Sequence, residues 1–237
     1  MTKTLRSILL ALLLCILVFL FTILGQGYLR YQREIERLPI AQAVEAYTEK
    51  DGFVAFSELD DDFVQAVIAV EDKRFFERKG YDFVALCRAM YHNLKAKKVI
   101  EGGSTITEQI AKNLYLNGYV DGIEAKTAEI FIMLDLEKNF PKDELLALYV
   151  NMNYYGDGYW GIRNAAKGYY DTTPDDLSLA QAAILAGIPN APAVYQLSTG
   201  FELARNRQAW VLQTMLRNGF ISQEDMDQAL LEDVRPS

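Results

Sequence analysis

Residues 7–29 read SILLALLLCILVFLFTILGQGYL, 23 positions without a charged side chain. At about 1.5 Å of rise per residue, a helix of that length crosses a hydrocarbon layer of about 30 Å. The stretch is therefore read as a membrane span. A cleaved signal peptide is the rival reading, because Lys3 and Arg6 form a basic start and Gly25-Gln26-Gly27 sets small residues where a peptidase cuts. The apolar core, residues 8–24, is longer than the usual signal-peptide core, which favours an uncleaved anchor. Leu14, before Cys15, is not small, so a lipoprotein signal is excluded. Flanking charge does not decide the orientation, since Lys3 and Arg6 on one side are matched by Arg30, Arg33 and Arg37 on the other.

Beyond the span the chain divides into a polar stalk, residues 30–50, and one domain over residues 51–237, with residues 1–6 as a short tail before the anchor. The whole is 51% hydrophobic and 24% charged, too apolar for disorder and long enough for one core. A formal charge of −8 argues against a nucleic-acid partner. Charge is uneven, however. Residues 41–237 carry 19 basic and 30 acidic side chains, yet residues 71–112 hold nine basic against six acidic. A local excess of positive charge in an acidic domain invites an anionic ligand, although Lys95, Lys97 and Lys98 also fit a solvated helix end. Cys15 and Cys87 are the two cysteines, which excludes a disulfide scaffold or a Cys-based zinc site. His92 is the single histidine and reads as a packing or surface residue, which leaves carboxylates as the better-stocked acid/base supply.

Hydrophobic spacing predicts an almost wholly helical body. Phe63, Ala66, Val67 and Val70 mark a helix running into Glu71, and a second is expected over residues 81–97 before Gly102-Gly103 breaks the chain. Thr105 with Glu108 forms a capping box that starts a helix toward Leu116. Residues 124–138 are apolar enough for a central buried helix, and Pro141 opens the next, ending near Asn151. Residues 154–161 hold three Gly, three Tyr and a Trp and read as an ordered loop. Further helices are expected over 162–170, 178–186, 202–218 and 222–231.

Three groups of residues offer chemistry. Glu71 lies just past an apolar helix, where a carboxyl rises toward the working range of a general base; a solvated helix end is the plainer reading. On the helix after Thr105, the residues Thr105, Gln109 and Lys112 share one face while Ile106, Ile110 and Leu114 share another. That polar face near a helix N-terminus suits a phosphate, or simply meets water. Glu129 stands on an apolar stripe with Met133 and Leu136 and is explained either by an i,i+3 pair with Lys126 or by a functional role.

Taken in order, these strings resemble the peptidoglycan glycosyltransferases, the family that includes the glycosyltransferase domain of bifunctional penicillin-binding proteins and its monofunctional membrane-anchored relatives. The resemblance runs through Glu71-Asp72-Lys73-Arg74-Phe75-Phe76 with Gly80, then Gly103-Ser104-Thr105-Ile106-Thr107-Glu108-Gln109 with Lys112-Asn113, then Lys126 with Glu129. It continues in Lys142 with Glu144-Leu145-Leu146 and Tyr149-Val150-Asn151, and in Ala165-Ala166, Tyr169-Tyr170 and Leu185-Ala186-Gly187. After the last of these strings there is no room for a transpeptidase domain.

The resemblance implies a mostly α, lysozyme-like helical glycosyltransferase domain on an N-terminal transmembrane helix, outside the cytoplasmic membrane of a bacterium. It implies polymerisation of lipid II onto a lipid-linked glycan chain, with inversion at the anomeric carbon and release of undecaprenyl pyrophosphate. Glu71 would be the general base and Glu129 the second carboxylate, acting through Lys126 or a divalent metal. Ser104, Thr105, Gln109, Lys112, Asn113 and Lys126 would bind the substrate, with Lys112 steadying the departing pyrophosphate. No cofactor is required; a divalent cation, Mg or Mn, has a place at the donor pyrophosphate. Separate transpeptidases are the expected protein partners. Some positions depart from the family's pattern: Arg78 stands where His is usual, Glu108 replaces a glutamine and Ala125 an arginine. Residues 117–124 carry no basic side chain, and Asp171 replaces a glycine. A non-catalytic lipid II-binding or scaffold protein is the alternative function.

Overall fold

The computed structural model describes residues 3–78, 104–116 and 118–236. The helix expected over 81–97, with Cys87 and His92, and the break at Gly102-Gly103 lie outside the described residues, as does most of the basic block. What is described is mostly helical. In order come α1 (Lys3–Arg37), α2 (Ile40–Thr48), α3 (Asp61–Glu71), α4 (Ile106–Tyr115), α5 (Gly122–Asn139) and α6 (Lys142–Met152). Then follow α7 (Ile162–Tyr170), α8 (Leu179–Gly187), α9 (Pro192–Tyr195), α10 (Leu197–Asn218) and α11 (Gln223–Leu231). Among the described residues the only β-pairing is an isolated antiparallel bridge between Tyr154 and Trp160.

Helix starts follow local chemistry. Asp60 accepts from the backbone N–H of Asp62 and of Phe63 at 2.9 and 3.1 Å, and Thr105, Ser178 and Ser222 form capping boxes with Glu108, Gln181 and Asp225. One start is set from a distance. A separate turn over residues 197–199 precedes the long helix expected over 202–218, and Asp157, in the 154–161 loop, holds it by accepting from the Ser198 N–H at 3.1 Å. The backbone then bends at Gly200 (φ −118, ψ 21) before the long helix continues.

The core gathers Phe63, Phe75, Ile106, Ile110, Met133, Leu136, Leu146 and Tyr155, all fully buried. Helix α3 packs on α8 and α10, while α4 packs on α5 and α6. Helix α1 is exposed along its apolar half and docks by its C-terminal half against α5. Gly27 permits the close approach, since a Cβ there would lie 2.4 Å from the Cβ of Thr127. Above it, Tyr28 and Tyr31 pack on Phe131 with ring centroids 5.4 and 5.9 Å away, and the Tyr31 hydroxyl donates to Asp135 Oδ2 at 2.8 Å. The segment read as a polar stalk is helical for most of its length, and its Ile40, Ala43 and Val44 are buried in the core. A stalk reading follows from polarity alone; the buried positions are too few to show in composition.

Candidate active site

Glu71 is the last residue of α3, held where four helices meet. Gln109, one turn into α4, donates its amide Nε2–H to Glu71 Oε2 at 2.7 Å. The hydroxyl of Tyr149, buried on α6, also bonds to this carboxylate, and Arg207 of α10 adds a nearby positive charge. Burial is the largest influence and holds the Glu71 carboxyl above its ordinary value, against the opposing pull of Gln109, Arg207 and Tyr149. The Arg207 guanidinium lies 4.0 Å from the Trp210 ring centroid, and its buried Nε has no hydrogen-bond partner among the described residues. A half-buried carboxylate, raised yet still hydrogen-bonded, is the state a general base requires.

Asp72, the next residue, belongs to a different network. Its carboxylate accepts from Arg78 at 2.5 Å, and Arg78 also reaches Glu137 Oε1 at 2.5 Å. Glu137 takes in addition the Thr107 hydroxyl at 2.6 Å and the Lys142 ammonium at 2.6 Å, with Lys142 4.6 Å from the Phe75 ring centroid. Burial works against the charge on Glu137, but Lys142, Thr107 and Arg78 together outweigh it and hold that carboxyl below its ordinary value. Arg78, where the family usually has His, thus ties the end of α3 to α5. Its fork of N–H donors lets one guanidinium span two carboxylates at once.

The second carboxylate site is built around Lys126. Its ammonium lies 2.6 Å from Glu108 Oε2 and 2.8 Å from Glu129 Oε2, with both glutamates buried and the lysine partly exposed. The i,i+3 pair of Glu129 with Lys126 is present, and through Lys126 this carboxylate is linked to Glu108 of α4. Burial raises the Glu129 carboxyl, opposed by Lys126 and by the nearby charge of Lys112. Burial likewise disfavours the Lys126 charge, but Glu108 and Glu129 more than compensate and raise it. Lys112 makes no ion pair with any described residue. An ammonium already stands between the two carboxylates, so as arranged they do not offer a divalent ion its donors.

The remaining expected binding residues differ in freedom. Ser104 is exposed immediately before α4. Thr105 is buried, and its hydroxyl is occupied by the capping box, accepting from Glu108 N–H at 3.2 Å and donating to Glu108 Oε1 at 3.3 Å. Its side chain is a structural cap. Asn113 is half-buried one turn past Gln109. Of the polar face expected on α4, Gln109 and Lys112 are partly exposed and Thr105 is buried. Tyr149 was legible only as part of a motif, and Arg207 left no local signal, being one arginine on an amphipathic helix.

Known proteins resemble this chain over most of its length. The transglycosylase family profile matches residues 37–216. A putative transglycosylase of Cupriavidus necator is 37% identical over 199 residues, covering 84% of this chain and 85% of that protein. Penicillin-binding protein 1A of Neisseria flavescens is 41% identical over 169 residues, 71% of this chain but 21% of the relative. The crystal structure of penicillin-binding protein 1A from Haemophilus influenzae aligns with a TM-score of 0.48 at 20% identity, over 78% of this chain and 18% of that one. With a profile match across most of its length and a relative of similar size at 37% identity, the chain belongs to the transglycosylase family of peptidoglycan glycosyltransferases.

Proposed function

We propose that this chain polymerises lipid II from the outer face of the bacterial cytoplasmic membrane, held there by a single span at residues 7–29 with residues 30–237 outside. The observation that carries the assignment of roles is the Gln109–Glu71 hydrogen bond, which joins the first two motifs into one site. Glu71 takes the proton from the acceptor sugar's hydroxyl as that oxygen attacks the donor's anomeric carbon. The new glycosidic bond forms as the bond to the pyrophosphate breaks, with inversion, and the electron pair leaves on the phosphate. A departing group that is already anionic needs positive charge more than a proton. Lys112 supplies it. Lys126 contributes less, because Glu108 and Glu129 already neutralise it, and Ser104 and Asn113 complete the polar wall. Ala125, fully buried, and the loop before it add no cation.

The test is incubation of the full-length protein in detergent with labelled lipid II, with and without Mg²⁺, followed by gel analysis of glycan. Polymer that vanishes in Glu71→Gln supports the reading. Lipid II binding without polymer in the wild type would favour a non-catalytic lipid II-binding protein. Crosslinking of the strands is assigned to separate transpeptidases.

A further inference from the structure

A cavity of about 350 Å³ opens on the side of α6 away from Glu71. Tyr149 and Asn151 are two residues apart and so about 200° apart around the helix. The first reaches the catalytic carboxylate and the second lines the cavity. The mouth of the cavity is dominated by Trp160, whose side chain is mostly exposed. This indole is not a loose surface residue. Tyr154 packs on it at a centroid distance of 4.9 Å, the Tyr154–Trp160 bridge fixes the backbone, and Asn164 Nδ2 donates to the Trp160 carbonyl at 2.7 Å. Gly161, which follows, sits at φ +78 with room for no side chain, because a Cβ would stand 3.1 Å from the Asn151 carbonyl oxygen.

The lining also holds polar groups. Lys50 has its ammonium 3.5 Å from the Tyr47 ring centroid, and Asp51 and Asn164 are exposed. Asp51 has no partner among the described residues. Met152 and Phe53 add apolar lining. A rigid aromatic face set against donors and acceptors suits a ligand with one apolar and one hydroxylated surface. The volume lies at the lower end of the range for small-molecule sites, about 300–1,000 Å³. A pyranose ring meets that description: its C–H face packs on an indole while its hydroxyl and acetamido groups reach the rim.

We propose that this cavity is a second, non-catalytic saccharide site that takes a segment of β-linked N-acetylated amino-sugar glycan. The choice of glycan rests on the polymerase reading above; the preference for a sugar rests on the cavity itself. Its occupant is the same chemistry whether it comes from the growing strand or from finished wall.

The probe is chitotetraose, titrated into full-length protein in detergent. In Trp210→Phe, Trp160 is the only tryptophan, so its emission reports the cavity alone. Saturable change in that emission is expected, and Trp160→Ala should weaken calorimetric binding of the tetramer by about tenfold or more. Trp160→Ala should keep the wild-type initial rate of lipid II consumption. Shorter strands made by this variant would place the growing chain in the site, and weaker co-sedimentation with purified peptidoglycan would place finished wall there. No saturable response in folded Trp210→Phe, or a response to anionic phospholipid vesicles alone, would overturn the proposal. Binding is read without turnover, so an inactive wild type that still binds the tetramer would sink the polymerase reading and leave this one standing.

Discussion

Gln109 and Glu71 stand 38 residues apart in the chain and 2.7 Å apart in space, joined by an amide N–H that favours the ionised carboxylate. The bond partly reverses what burial does to Glu71. It also means that the first and second motifs act as one unit, so their variants should be coupled.

Glu71→Gln should lower polymerisation by at least two orders of magnitude, the scale of a lost general base, while leaving the protein folded. The amide is nearly isosteric and removes a half-buried charge. Gel assay of glycan beside a thermal melt checks both parts; wild-type activity in the variant would refute the base assignment.

Activity should fall on the acid side through a limb lying above 4.5, because the carboxyl that must be ionised is raised from that value. Removing the donor in Gln109→Ala raises it further, so the limb should move to higher pH while the plateau changes less. Arg207→Gln should move it the same way, by loss of a positive charge. A pH profile of kcat/KM for the three proteins decides this, and an unmoved limb in both variants would break the link.

Glu108→Gln keeps the cap of α4 but leaves Lys126 with one carboxylate instead of two. Lipid II should then be held more tightly, seen as a lower KM with kcat little changed, because the donor phosphates meet more net positive charge. Lys126→Met does the opposite and strands two buried glutamates. With the lysine 40% exposed, the loss of stability on denaturant unfolding should stay below the about 3–5 kcal/mol of a fully buried pair.

Arg78→Ala removes the cation shared by Asp72 and Glu137 and should likewise destabilise by about 3–5 kcal/mol, the usual result of breaking a buried pair from one side. Glu137 is held below its ordinary value, so its contribution to stability is present above about 4.5 and is lost as pH falls through the lower folded value. Unfolding free energy measured from pH 7 downward should drop less steeply below pH 4.5 in Arg78→Ala than in wild type.

Gly27→Val places a side chain where Thr127 stands and should loosen α1 from α5. Because α5 carries Lys126 and Glu129, a lower melting temperature should come with slower polymerisation, and activity at a lower temperature should recover in part.

The amino-acid order by itself determined the apolar span, the helical body and most helix starts, since hydrophobic period and caps such as Asp60, Thr105, Ser178 and Ser222 act within a few residues. It also placed Glu71, Gln109, Lys112, Lys126 and Glu129 in recognisable strings. Only tertiary structure decided which of them share a hydrogen bond or a counter-charge. The turn ahead of the long part of α10 is held by Asp157 from 41 residues away. The charge of Arg207 acts on Glu71, and Glu108 pairs with Lys126, across helix interfaces. Those relationships depend on how helices pack, and packing joins side chains whose separation in the chain leaves no periodic trace.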